Sequence, residues 1–197
     1  MAGARRHVWF PDTSALVTLA VHLPLQRAVV ATLSVHLRVL VNAVVTELEG
    51  LATTSDTTAT WAGTALGQLD WLGKPAPLDD PAGVELAARL QKEIAAGRPL
   101  KHDMEHFGEA AVISLACRAQ TVHPLMLCDD YDARVAAKNR SVEPFGVHKL
   151  IHLMITQGKV TATEAASFAD ALHRAGRAQD YTAEELASGR LGRVGQP

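Results

Sequence analysis

An α/β fold, with helices on both faces of a mainly parallel central sheet, is what this sequence predicts, and three observations predict it. Short apolar runs that read as buried strands alternate along the chain with segments of helical pattern, the arrangement that builds parallel sheets. Acidic residues stand just after two of those runs, at the carboxyl edge where such sheets bind their ligands. The chain has 197 residues, 48% of them hydrophobic, enough to bury one sizeable core without a second domain.

The elements follow in order. His7 to Phe10 (HVWF) is a β-prone run stopped by Pro11, and DTSALVTLAVHL behind it has helical composition with three potential N-cap residues at its head. After a second helix in LQRAVVATL, Arg38 to Val41 (RVLV) reads as a buried strand and NAVVTELEGLAT as the helix that follows. Residues 56–100 hold two more helical patterns, TATWAGTALGQLDWL and DPAGVELAARLQKEIAAG, split by the turn GKPAPLDD. Next come the helix HFGEAAVISLACRAQ, a third strand from Leu125 to Cys128 (LMLC) and the helix YDARVAAKNR. A short fourth strand around VEPF precedes the helix GVHKLIHLMITQGK. Beyond Val160, Thr161 with Glu164 and Thr182 with Glu185 form capping boxes that start two short helices, and the terminal GRLGRVGQP is expected to fray.

Composition excludes several functions. A net charge of −2 removes the global basic character of a bulk nucleic-acid binder, so any anion-binding surface must be local. The N-terminus lacks the apolar stretch of a secretory signal, and no segment reaches the ~18 apolar residues of a membrane span. The expected setting is cytoplasmic, without a membrane partner. Cys117 and Cys128 have neither CxxC nor zinc-knuckle spacing and read as small buried hydrophobes.

The chemistry lies in the acids. Asp129 and Asp130 sit side by side after the third strand. One Asp would serve as an N-cap, but a second adds like-charge repulsion and asks for a positive partner. Asp12, after the first strand, has the same capping explanation, shared with Thr13 and Ser14. On a helical wheel Glu109 falls between Val112, Ile113 and Ala116, inside the apolar stripe, where an acid is costly without a partner. An ion pair with a buried arginine, or a place in the helix's first turn, would also account for it. Glu47 and Glu49 both flank the stripe of Val44, Val45, Leu48, Leu51 and Ala52, and periodicity does not choose between them. Taken as a set, these carboxylates come from separate segments and cannot all stay ionised together unless cations hold them. An all-oxygen site of this kind suits Mg²⁺ or Mn²⁺, which keep waters and are completed by substrate phosphates.

Four stretches carry a resemblance: FPDTSALV, VVTELEGLA, GEAAVISLA, and LCDDYDARVAAKN continued by FGVHKLIHLMITQGKV. In this order they resemble the PIN-domain nucleases, including the VapC-type toxins of toxin–antitoxin modules. The resemblance covers nearly all of His7 to Val160. It implies a PIN-like three-layer α/β/α domain over residues 1–160; the helical insertion at about 56–100 and the helical extension over 161–197 depart from the family pattern. It also implies metal-holding acids at Asp12, Glu47, Glu109 and one of Asp129 and Asp130, the pattern of some members favouring Asp130 as the core acid with Asp129 as an accessory member of the catalytic set, and it matches Thr13 and Ser14 to the small hydroxyl positions beside the first acid. The activity implied is Mg²⁺- or Mn²⁺-dependent hydrolysis of RNA, with a homodimer and an antitoxin protein as expected partners. RNA would be held by Ser14, Arg134, Lys138, Arg140 and Lys149, with Lys101 a weaker candidate. For the basic residues a solvated helix face is an equal alternative. Trp61 and Trp71 are better read as packing residues than as base-stacking ones.

Other readings are weaker. His102 and His106 in HDMEH have i, i+4 zinc spacing, but the Glu is misplaced for HExxH. A phosphoacceptor of the receiver type would carry its acidic pair after the first strand. The non-enzyme alternative is a catalytically silent PIN-like module that binds RNA or protein, and the retained acids argue against it.

Overall fold

The computed structural model describes residues 6–100, 103–119 and 121–177. In chain order these form β1 (Arg6–Pro11), α1 (Thr13–Ala20), α2 (Leu23–Leu33), β2 (Leu37–Arg38), α3 (Asn42–Ala52) and α4 (Thr57–Leu66). A 3₁₀ turn (Leu69–Leu72) leads to α5 (Pro81–Ile94), α6 (Phe107–Arg118), β3 (Val122–Leu127), α7 (Tyr131–Lys138), β4 (Glu143–Phe145), α8 (Val147–Thr156) and α9 (Ala162–Arg174).

The sheet has four parallel strands in the order β2-β1-β3-β4. Successive side chains of a strand point to opposite faces, and that period sorts the core into two layers. Val8, Phe10, Met126 and Cys128 face one way, into a cluster built with α3, α4, α5, α6 and α7. Trp9, Leu125 and Leu127 face the other way, against α1, α2, α8 and α9. The α/β/α sandwich expected from the alternation of elements is the one formed.

β2 is shorter than the run RVLV suggests. Val39 N–H still bonds the Trp9 carbonyl at 2.8 Å, but the chain then turns away and Val41 bridges Ala76 instead. Both Leu40 and Val41 are fully buried, so the apolar run reports burial and not strand length. Residues 56–100 share the main core: Ala62 and Ala65 of α4, and Ala87, Leu90 and Ile94 of α5, belong to the same cluster as Val8 and Phe10. The capping box of Thr161 and Glu164 starts α9 as expected, with both reciprocal bonds present. Thr182, Glu185 and the terminal Gly/Arg-rich stretch lie outside the described residues, as do Lys101 and His102. No helix among the described residues is long and apolar enough to cross a membrane.

Candidate functional site

Register brings the first acids together. β1 and β3 run in parallel from the pair Arg6 and Val122 to the pair Pro11 and Leu127, and Asp12 N–H continues the ladder by donating to the Leu127 carbonyl at 3.0 Å. Asp12 therefore leaves the sheet beside Cys128 and Asp129. Ser14 ties the two strand ends: its hydroxyl donates to the Asp12 carboxylate at 3.0 Å and accepts the Asp129 N–H at 2.9 Å. This residue, expected among the RNA contacts, is occupied in positioning the acids.

The capping explanation for the aspartates is correct as far as it goes. Asp12 accepts from Ala15 N–H at 2.8 Å at the head of α1, Asp130 from Ala133 N–H at 2.8 Å at the head of α7, and Asp129 from Val147 N–H at 2.8 Å at the head of α8. Each bond spends a carboxylate oxygen on a positive helix end. Capping does not account for Asp129 Oδ2, which is buried without a hydrogen-bond partner among the described residues.

The two glutamates meet this cluster from α3 and α6. Glu47 is buried and Glu49 exposed, so burial decides what the helical wheel left open. Thr13 Oγ1 donates to Glu47 Oε2 at 2.6 Å, and the backbone N–H groups of His106 and Gly108 also reach that carboxylate. His106 has left-handed backbone geometry (φ 63°) and no side-chain cap, so Glu47 supplies from another helix the acceptor that the start of α6 lacks. This needs a glycine at 108, because a Cβ there would collide with Glu47 and sit 2.7 Å from Thr13 Oγ1. Gly108→Ala is expected to lower stability by about 2 kcal/mol, with overpacking outweighing the gain in helix propensity. A denaturant midpoint at or above that of the parent would show that the pocket relaxes freely.

Glu109 lies in the first turn of α6 and is only 5% exposed. The buried arginine that would have explained it on structural grounds is not there: Oε2 has no hydrogen-bond partner among the described residues. Burial, then the charges of Glu47, Asp12 and Asp130, push its pKa well above the usual carboxylate range. Burial likewise raises Asp12 to about 7, opposed by the Cys128 thiol, Ala15 N–H and Ser14 and assisted by Asp129. Glu47 rises to about 7 for the same first reason, opposed by Thr13 and two backbone N–H groups and assisted by Asp130. The predicted acids therefore share one electrostatic site, Asp129 on the Asp12 side and Asp130 facing the glutamates. Among the described residues no three His, Cys, Asp or Glu side chains are closed into a ligating arrangement. The unpartnered Glu109 Oε2, with Glu47, Asp12 and Asp130 acting on it, and the unpartnered Asp129 Oδ2 on the Asp12 side nonetheless supply oxygen donors of the kind a hard divalent ion takes.

The basic candidates divide. Arg134, in the first turn of α7, lies close to Gly146 and His148 at the head of α8. Lys138 ends α7, about 12 Å along the helix at 1.5 Å per residue. Arg140 holds Glu93 of α5 with a two-pronged bond of 2.9 and 2.6 Å, and Lys149 pairs with Glu143 at 3.6 Å and lies 4.0 Å over the Phe145 ring. Of these, Arg140 and Lys149 are engaged with acids outside the cluster, and Arg134 stands by the head of α8, where Val147 N–H bonds Asp129. His106, the described half of the histidine pair, faces Arg98 and Glu105.

Two features of the site escape the sequence. Cys128 is indeed buried, but it stands against Asp12. Its position after an apolar strand and before the double Asp is the available signal. Arg177, from the extension, faces Asp129 and Asp12. Nothing in its local pattern distinguishes it from the other tail arginines. No family model, curated protein or solved structure matches the chain.

Proposed function

We propose that this protein is a metal-dependent endoribonuclease of the PIN type, hydrolysing RNA phosphodiester bonds with Mg²⁺ or Mn²⁺. The observation that supports this best is the pair of buried, unpartnered carboxylate oxygens on Glu109 and Asp129, within an acidic cluster that gathers residues from separate elements. A catalytically silent binding module would gain nothing from leaving those oxygens unsatisfied at such cost.

Asp12, Glu109 and one or both of Asp129 and Asp130 would hold the ion, with Glu47 beside them. When bound, the ion supplies Lewis acidity, which activates water and offsets charge developing on a phosphate. The chain's own residues do the positioning. Ser14 fixes Asp12 relative to Asp129, Thr13 and the start of α6 fix Glu47, and Arg134 supplies local positive charge for the nucleic acid. The converging helix heads add positive potential that an anionic substrate also meets. No side-chain nucleophile is required by this arrangement.

The test incubates purified protein with structured and single-stranded RNA, with Mn²⁺, with Mg²⁺ and with EDTA, alongside Asp12→Asn. Asn still caps α1, so the variant keeps its fold and loses the charge. Cleavage that requires metal and falls by about a hundredfold or more in the variant is expected. Equal cleavage by the variant, or cleavage in EDTA, would defeat the proposal.

A further inference from the structure

α9 ends in a motif that aims one side chain. Gly176 adopts φ 66°, its N–H bonds the His173 carbonyl at 2.9 Å, and Arg177 N–H bonds the Leu172 carbonyl at 2.9 Å. That double bond with a left-handed glycine is a Schellman cap, which fixes the direction of the residue after the glycine. The Arg177 guanidinium is delivered over the ring of Trp61 in α4, 5.8 Å from its centroid. An aromatic face orients a guanidinium and leaves its N–H groups free at the edge. Trp61, half-buried against the core, is therefore both a packing residue and a platform.

The surroundings define what the fork is for. Burial lowers the pKa of Arg177, and Asp129, Asp12 and Asp56 raise it, so the cation lies within electrostatic reach of the acidic site and of the head of α4. Among the described residues it closes no ion pair, whereas Arg140 and Arg118 each close one with an acid. An arginine serving as a plug would spend its fork on the carboxylates themselves. A fork held beside them and left open suits an anion that arrives with the substrate.

We propose that Arg177, positioned by the Gly176 cap and the Trp61 ring, binds a backbone phosphate of the RNA next to the carboxylate cluster. This rests on the nuclease reading above and adds a substrate contact contributed by the C-terminal extension.

The test uses a labelled single-stranded oligoribonucleotide, bound in EDTA over a range of KCl, with the full chain as wild type, Arg177→Ala, Arg177→Lys and Gly176→Ala. Arg177→Ala is expected to weaken binding about tenfold and to reduce the slope of log K against log salt by about one. Arg177→Lys should recover the slope with only part of the affinity, and Gly176→Ala, by disturbing the cap, should mimic the alanine variant partially. Cleavage in Mn²⁺ should follow through KM more than kcat, with the melting temperature of Arg177→Ala close to that of wild type. Wild-type cleavage with unchanged binding in Arg177→Ala overturns this inference and leaves the nuclease standing. Faster cleavage by Arg177→Ala overturns it in favour of a plug. An RNA neither bound nor cut by folded wild type overturns the nuclease reading, and this inference with it.

Discussion

Glu109→Gln is expected to make the metal-free protein more stable while removing the proposed metal-dependent cleavage. The glutamate is only 5% exposed, its Oε2 has no hydrogen-bond partner among the described residues, and burial together with the nearby acids opposes its ionised form. Gln has nearly the same shape, carries no charge and can donate its amide hydrogens to the acids that Glu109 repels. The gain at pH 7.5 in EDTA should be about 1–3 kcal/mol, limited by the cost of burying the amide itself. For a chain of this size that is roughly 3–10 °C in melting temperature. Metal-dependent cleavage should fall by about a hundredfold or more, because one of the oxygens that would hold the ion is gone. Asp12→Asn should gain less stability, since Asp12 already accepts from Ala15 and Ser14 and the exchange relieves less. Stability set aside for function is the pattern that the proposed nuclease site would show. A Glu109→Gln protein that melts at or below the wild-type temperature without metal would show that the carboxylate is served by the fold, and would remove the main support for a metal there.

How much of the fold and site is legible in the sequence depends on how local the cause is. The strand ends at Asp12 and at Asp129–Asp130 can be read because Pro11 and the double Asp interrupt apolar runs. Glu109 can be read because it breaks the stripe of its own helix. Glu47 and Glu49 cannot be separated by periodicity, because both flank the stripe; what separates them is the start of α6 packed against only one of them. Arg140 and Lys149 look like free cations in the sequence because Glu93 and Glu143, which engage them, come from other elements. Arg177 is invisible there for the same reason. Its placement comes from a glycine cap next to it and from Trp61, a residue more than a hundred positions away. The region 56–100 shows the reverse case. It reads as an insertion because it lies outside the stretches that carry the resemblance, and its alanines and leucines complete the layer against which α3 and α6 pack.

A divalent ion should stabilise this protein at pH 8 and much less at pH 5. The sign follows from the buried acids. Asp12 moves from an ordinary 3.8 to about 7, Glu47 from 4.5 to about 7, and Glu109 lies well above its ordinary 4.5. An unfolded chain gives up these protons near pH 4, whereas the folded chain keeps those of Asp12 and Glu47 to about pH 7 and holds that of Glu109 well above the usual carboxylate range. Over that interval the native state binds more protons, so stability falls as pH rises, and above it the full penalty remains. Each tenfold change in the proton affinity of a single group is worth about 1.4 kcal/mol, but the carboxylates share their protons and their contributions do not simply add. A loss of about 3–5 kcal/mol between pH 4.5 and 8 is expected in EDTA. An ion in the cluster competes with those protons, so it binds weakly at pH 5 and stabilises by mass action once the acids are ionised. Melting curves with and without millimolar Mn²⁺ should therefore nearly coincide at pH 5 and separate by roughly 5–10 °C at pH 8. Glu109→Gln should both flatten the pH dependence in EDTA and shrink the separation at pH 8, and a general salt effect would do neither. If wild type melts at the same temperature at pH 8 with and without Mn²⁺, the cluster does not hold an ion, and its buried acids need another explanation.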